Sequence, residues 1–545
     1  MAIMIEELIR SIEQWLRLIK KGEELYVDPN LDPVLLVPGI AGSILNAVDD
    51  DGKEERIWVR VLGADHEFRT KLWSKFDPST GTPGMNLGCG ADCVVGSKTR
   101  IVVPEDRYGL YAVDVLDPSM IVGRDCVCYF HDMIVEMLKW GFQEGKTLFG
   151  FGYDFRQSNR LPEAMSRFAA KLESVYTASG GKKINIITHS MGGLLVKCFM
   201  ALHSDIFEKY VKNWIAIAAP FQGAPGYITT SLLNGMSFVK GWEQNFFISK
   251  WTMQQLLIEC PSIYELMGCP NFNWNVIPRL EIWRKSQSAN GDSTVMLESY
   301  EAEEAIPIMK EALSNNVVNV DGTDYHVPLN QDILKWAYET KEILSHAKLP
   351  SKVKFYNIYG INCDTPHSVC YGSEETPIAD LQELPPFKAN YIYVDGDGTV
   401  PVESAKADGL NAVARVGVHG DHRGIICDRH VFRILQHWLR AGDPDPFYDP
   451  VNDFVILPTT FEMVKRQEGG TQIISLKEDW EVISEDQDDL GDLTEKKPSL
   501  NSISVSHMCK DRSSQEKACA TIVLHPQNEG KQHVELRAVS VSTCA

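Results

Sequence analysis

The chain has 545 residues, 44% hydrophobic and 23% charged, the balance of an ordinary globular protein with enough apolar mass for a large core. Its formal net charge of −21 argues against nucleic acid as a partner, since holding a phosphate backbone takes clustered Lys and Arg, and against wholesale capture by anionic membranes. The 13 cysteines form no regular framework: Cys126-x-Cys128 and the Cys89/Cys93 pair lack a second pair at finger-like spacing, so no metal is expected and reduced cytoplasmic thiols are.

In chain order, the first predicted element is an amphipathic helix within residues 1–30, with Ile5, Leu8, Ile9, Ile12, Trp15, Leu16 and Ile19 at helical spacing. It has two readings. One is a foot on a lipid surface, with Trp15 at headgroup level and Arg17, Lys20 and Lys21 near phosphates; the other is a helix packed on its own domain. Glu6, Glu7, Arg10, Glu13 and Arg17 rule out reading it as a secretory leader, and no apolar run long enough to span a bilayer is expected.

From residue 31 to about 445, short apolar runs alternate with helical periods, the pattern of a mostly parallel sheet covered by helices. Val34 to Val37, Ile184 to Thr188, Trp214 to Ala218, Lys354 to Tyr359 and Tyr391 to Val394 are the strand candidates. The first runs into Pro38-Gly39-Ile40-Ala41-Gly42-Ser43, where the turn offers the Ile40 N–H to a developing oxyanion. Next, Trp58, Leu62, Phe68, Leu72 and Trp73 form an aromatic stretch that reads either as an apolar lid touching substrate or as a plain surface excursion.

Ile184-Asn185-Ile186-Ile187-Thr188-His189-Ser190-Met191-Gly192-Gly193 is a buried strand entering a small-residue turn, followed by a helical pattern. A sharp strand-to-helix turn lifts a serine hydroxyl clear of its neighbours, so Ser190 is the candidate nucleophile and the Met191 N–H a second oxyanion donor. Residues 227–345 then break the strand–helix rhythm with Trp242, Phe246, Phe247, Trp251, Trp274 and Trp283, reading as a cap over the site.

Further on, Asp395-Gly396-Asp397-Gly398 follows a strand. Asp397 is the candidate acid, with Asp395 holding the turn. Gly420-Asp421-His422-Arg423-Gly424 precedes the last helix and supplies His422 as candidate base; His419 and His430 are competitors. The order serine, acid, histidine is that of an α/β-hydrolase fold. Residues 446–545 form an extension: acidic and then Ser- and Lys-rich at about 484–516, where disorder is expected, before an alternating pattern at Ala520–Leu524 and Val534–Val541 that predicts a β-hairpin.

Val37-Pro38-Gly39 with Gly42-Ser43, Tyr153-Asp154-Phe155-Arg156, His189-Ser190-Met191-Gly192, the Asp-Gly-Asp-Gly-Thr-Val loop and the His422 context together resemble the lecithin:cholesterol acyltransferase-like family, over about residues 31–440. The chain looks closest to its plant, non-secreted phospholipase A branch. The resemblance implies cleavage of glycerophospholipid acyl esters through an acyl-serine, without calcium or another cofactor. It also implies Ser190, Asp397 and His422 as triad, and the Ile40 and Met191 amides as oxyanion hole. Acyl transfer to a sterol or diacylglycerol is the alternative activity. A cytoplasmic protein peripherally bound to intracellular membranes is expected, of unassigned oligomeric state. The disulfide-closed lid of secreted members has no counterpart here, since Trp58 to Trp73 contains no cysteine.

Overall fold

A computed structural model describes residues 26–60, 71–78, 82–83, 100–118, 127–235, 249–287, 293–320, 323–444, 446, 448 and 450, with the backbone of three strands beyond them. The expected N-terminal helix, Leu62, Phe68, Trp242, Phe246 and Phe247 lie outside the described residues. The chain divides into two units, Met1–Pro446 and Phe447–Ala545.

The first unit is built on six strands: β1 Val34–Val37, β2 Leu148–Gly150, β3 Ile184–His189, β4 Val211–Ile217, β5 Lys354–Ile361 and β6 Ala412–His419. They lie in the order β6-β5-β4-β3-β1-β2, and every pairing is parallel. β1 and β3 are buried along their whole length: β1 is apolar throughout, and β3 is apolar apart from the buried Asn185, Thr188 and His189. Edge strand β6 instead alternates, with Ala414, Val416 and Val418 inward and Val413, Arg415 and His419 outward. Trp214 of β4 is fully buried, its ring 4.6 Å from Phe355 of β5 and within aromatic contact of Phe207 and Phe221.

Helices flank this sheet: α1 Pro162–Ala178, α2 Gly192–Leu202, α3 Pro225–Asn234, α4 Gln331–Ser345 and α5 Arg429–Leu439. α1 opens on a proline, whose missing N–H costs nothing in a first turn, and buries Met165, Phe168, Leu172 and Val175 along one stripe. Asp428 caps α5, its Oδ1 accepting from the N–H groups of His430 (2.7 Å) and Val431 (3.3 Å).

Two strands of this sheet, β2 and β6, escape the sequence reading. Leu148–Gly150 is only three residues long, and the edge alternation of β6 dilutes its apolar content. Conversely, the run at Tyr391 to Val394 is part of a strand, Asn390–Gly396, that belongs to a separate four-stranded sheet, antiparallel to Cys363–Tyr371. That sheet also takes the hairpin Leu280–Gln287 and Ser293–Tyr300 from the expected cap, so the cap is hydrogen-bonded into chain from beyond residue 345.

In the second unit, Glu516–Pro526 and Gln532–Thr543 pair antiparallel as the predicted hairpin. Asn501–Met508 adds a third strand on Glu516–Pro526. The strand falls within the stretch of about 484–516 where disorder is expected; residues 484–500 and 509–515 lie outside the described residues. Ile503 and Val505 alternate with serines there, a period of two that the overall Ser-rich composition hides.

Candidate active site

Ser190 sits where β3 ends and α2 begins, with a φ of 54°, in the left-handed region that side chains other than glycine seldom enter. The turn exists only because its neighbours lack side chains. A Cβ on Gly192 would lie 2.4 Å from the Pro38 carbonyl oxygen, and one on Gly39 would lie 2.6 Å from the Ser190 Cβ. The Ser190 N–H donates to the Ile217 carbonyl at the end of β4 (2.9 Å), fixing the elbow to the sheet rim.

The other two residues arrive at the same rim. Asp397 follows strand Asn390–Gly396; its Oδ1 accepts the N–H groups of Thr399 (2.9 Å) and Val400 (2.6 Å), leaving Oδ2 aimed at His422. His422 lies beyond β6, and its own N–H donates to the Asp397 carbonyl (2.8 Å). Its Nδ1 is 2.7 Å from Asp397 Oδ2 and its Nε2 is 2.9 Å from Ser190 Oγ. Asp395 instead accepts the Asn362 N–H at 2.6 Å, on a loop 33 residues upstream, while the amides of its own turn go to Asp397 and Thr365. His419 and His430 are exposed. A neutral imidazole donating from Nδ1 to the carboxylate presents a lone pair on Nε2 to the serine, the arrangement needed to remove its proton.

The oxyanion candidates are adjacent. Ile40 lines the same cleft as Ser190 and His422, and Met191 directly follows the nucleophile as N-cap of α2. Among the described residues, no backbone hydrogen bond uses the N–H of either. The cleft, about 140 Å³ and partly open to solvent, is walled by Tyr227 and Ile228 of α3, Ile263 and Leu266 of the cap, and Val400. Such apolar walls suit an acyl chain. Arg423 is the cation at this lining, a residue the sequence reading passed over although it adjoins His422.

Of the aromatic stretch, Trp58 and Trp73 are among the described residues, and both are buried. Trp58 is 1% exposed; its indole N–H donates to the Ala41 carbonyl (2.8 Å) and its ring meets Phe155 edge-on at 5.3 Å. It props the oxyanion loop from behind and is absent from the cleft wall. Trp73, 6% exposed, donates to the Gln255 carbonyl (2.9 Å) and so ties this stretch to the cap. Both expected substrate contacts are therefore anchors, since each indole finds its partner inside the protein; Leu62 is outside the described residues. The Tyr153-Asp154-Phe155-Arg156 segment has a similar duty: Tyr153 donates its hydroxyl to the Pro38 carbonyl (3.1 Å) and takes Ser43 Oγ on its N–H (3.0 Å). Arg156, fully buried, is neutralised by Asp154 at 2.5 Å and also holds the Leu72 carbonyl.

Two further polar residues escaped sequence reasoning. Tyr129 Oη accepts the Gly39 N–H (2.7 Å) and contacts His189 Nδ1 (2.6 Å), while His189 Nε2 is 2.8 Å from the His422 carbonyl. Burial, aided by the nearby positive charge of Arg423 and by His422, pushes His189 well below the usual imidazole range, so it is neutral near pH 7. His189 had one available signal, its place next to Ser190; Tyr129 had none.

A hydroxyl, an imidazole and a carboxylate in hydrogen-bonded series at the carboxyl rim of a parallel sheet, in this chain order, place the molecule among the α/β-hydrolases. More narrowly, the chain belongs to the lecithin:cholesterol acyltransferase family, whose model matches residues 68–411. Lecithin-cholesterol acyltransferase-like 4 of Arabidopsis thaliana is 62% identical over 100% of both chains. The protein named Phospholipase A(1) LCAT3, of the same plant, is 49% identical over 75% of this chain and 90% of its own. Lysosomal phospholipase A and acyltransferase of Bos taurus is 24% identical over 68% of this chain and 81% of its own.

Proposed function

We propose that this protein is a phospholipase A, cleaving acyl esters of glycerophospholipids such as phosphatidylcholine through an acyl-serine intermediate. The reading is carried by the 2.9 Å contact between Ser190 Oγ and His422 Nε2, backed by Asp397 at 2.7 Å, beside a cleft with apolar walls. Two relatives whose names include phospholipase A support the substrate class.

His422 takes the Ser190 proton as the oxygen attacks the ester carbon, and Asp397 stabilises the imidazolium. The Ile40 and Met191 amides hold the oxyanion; each such donor is typically worth about 10²- to 10³-fold in rate. The tetrahedral adduct collapses, and the lysophospholipid leaves with the proton from His422. Water, deprotonated by the same imidazole, then attacks the acyl-serine and releases the fatty acid. A lipid alcohol in the place of water would give acyl transfer, and the name of the bovine relative includes that activity.

The test is release of fatty acid from defined phosphatidylcholine vesicles, with and without an added lipid alcohol, alongside labelling by a fluorophosphonate. Labelling and release that both vanish in Ser190→Ala are expected, with free acid exceeding new ester. Release that survives in Ser190→Ala sinks the reading, and ester in excess makes the protein a transferase.

The protein acts as a peripheral protein at intracellular membranes, approached from the cytoplasm. No described helix is long and apolar enough to cross a membrane, and the amphipathic pattern from Ile5 to Ile19 supports peripheral contact. Deleting residues 1–25 should move the protein from the membrane pellet to the supernatant on cell fractionation; an unchanged pellet removes that segment as the foot.

A further inference from the structure

We infer that Tyr129 and His189 are positioning residues for this reaction, forming one hydrogen-bonded link from the oxyanion loop to the loop of the catalytic base. The inference rests on the reading of Ser190 and His422 given above.

The protons can be placed from donor rules alone. The Gly39 N–H can only donate, so the Tyr129 oxygen accepts there, at 2.7 Å. The phenolic proton is then directed to His189 Nδ1, 2.6 Å away. With Nδ1 accepting, a neutral His189 carries its proton on Nε2 and gives it to the His422 carbonyl at 2.8 Å. Each proton in the series thus has one donor and one acceptor, all running in the same direction. A protonated His189 would put two donors on the same phenol oxygen and displace the phenolic proton, and burial already disfavours that charge.

Each end of the series bears on the chemistry. Gly39 immediately precedes Ile40, whose N–H is the oxyanion donor on that loop. Tyr129 also fixes the loop sterically: a Cβ on Gly42 would fall 2.6 Å from its ring, so loop and ring are in closest possible contact. At the other end, the His189 ring lies 4.9 Å from that of His422 and holds the base by its backbone, while Asp397 holds it by its ring. Two loops far apart in sequence thus share one support, and neither Tyr129 nor His189 needs to touch the ester.

The experiment uses the full-length protein and a soluble ester, p-nitrophenyl butyrate, with active sites counted by fluorophosphonate titration. Tyr129→Phe keeps the ring and deletes the link; His189→Gln deletes it at the next joint. In each, kcat per titrated site is expected to fall about tenfold or more, with KM within about twofold, as for a misplaced rather than missing donor. Phenylboronic acid, which forms a tetrahedral adduct on serine, should lose affinity by the factor lost in kcat/KM. Because both variants break one series, the double variant should be no slower than the worse single one.

A folded Tyr129→Phe or His189→Gln with kcat near wild type overturns the inference, and so do losses that multiply in the double variant or fall entirely on KM. If one variant does not fold, the other alone is read by the same criterion. Wild-type protein that fails to label at Ser190 would instead overturn the reading of the site itself.

Discussion

At the scale of single residues, the acid of the centre is separated from its near twin by what each oxygen accepts. Asp397 spends one oxygen on two backbone N–H groups and the other on His422, whereas Asp395 accepts from Asn362. Asp397→Asn would offer an amide N–H or a single acceptor to the imidazole and favour the wrong tautomer, so kcat on a soluble ester is expected to drop by about 10⁴. Asp395→Asn keeps an acceptor for Asn362 and should stay within a few-fold; equal losses in the two would reassign the acid. Gly39→Ala tests the elbow, because its Cβ would sit 2.6 Å from the Ser190 Cβ. Probe labelling should be lost while the circular dichroism spectrum is kept. Ser190, Asp397 and His422, which the structure brings into one hydrogen-bonded series, could be singled out in the sequence because each is announced locally, by a strand, a small-residue turn or a following helix. Tyr129 was not legible, since its partners Gly39 and His189 lie 90 and 60 residues away and no periodicity marks a phenol that serves them. Trp58 and Trp73 misled in the other direction: composition identifies an aromatic residue but not whether its N–H is satisfied inside.

Among elements, the cap holds a carboxylate that makes the fold sensitive to pH. Glu259, between the helices Lys250–Leu257 and Pro261–Glu265, accepts the Phe76 N–H (2.8 Å) and Asn330 Nδ2 (3.2 Å). Burial outweighs these bonds and raises its pKa from 4.5 to about 7. Between those values the folded chain holds a proton that the unfolded chain has released. Stability from this group is therefore fully present below about 4.5 and lost as pH rises through about 7, by at most ~3 kcal/mol. Urea midpoints at pH 5 and pH 7.5 should show the decline, and Glu259→Gln should flatten it in part, because burial pushes Glu265 up as well and adds slope of the same sign. A Glu259→Gln profile identical to wild type would remove Glu259 from the account. Central strands were readable as elements because, buried on both faces, they are mostly apolar, with Asn185, Asn213 and Asn357 as buried exceptions. Short β2 and alternating β6 carry too little of that signature, and strand Asn390–Gly396 was readable as a strand but not as a member of another sheet, because pairing partners are not written locally.

For the whole molecule, Ser190, Asp397, His422 and the stretch matching the family all lie within Met1–Pro446. A chain ending at residue 446 is accordingly expected to keep fluorophosphonate labelling at Ser190, and loss of labelling in soluble truncated protein would give the second unit a part in the site. The sheet order carries a further consequence, for how the molecule forms. β3 pairs with β1 from far upstream, and β4 pairs with β5 across the entire cap, from Ile217 to Lys354 in sequence. Long closures of this kind are slow to make. During recovery from urea, helical ellipticity should return first and reactivity at the serine last, so a nascent chain remains chemically inert until its final strand has docked.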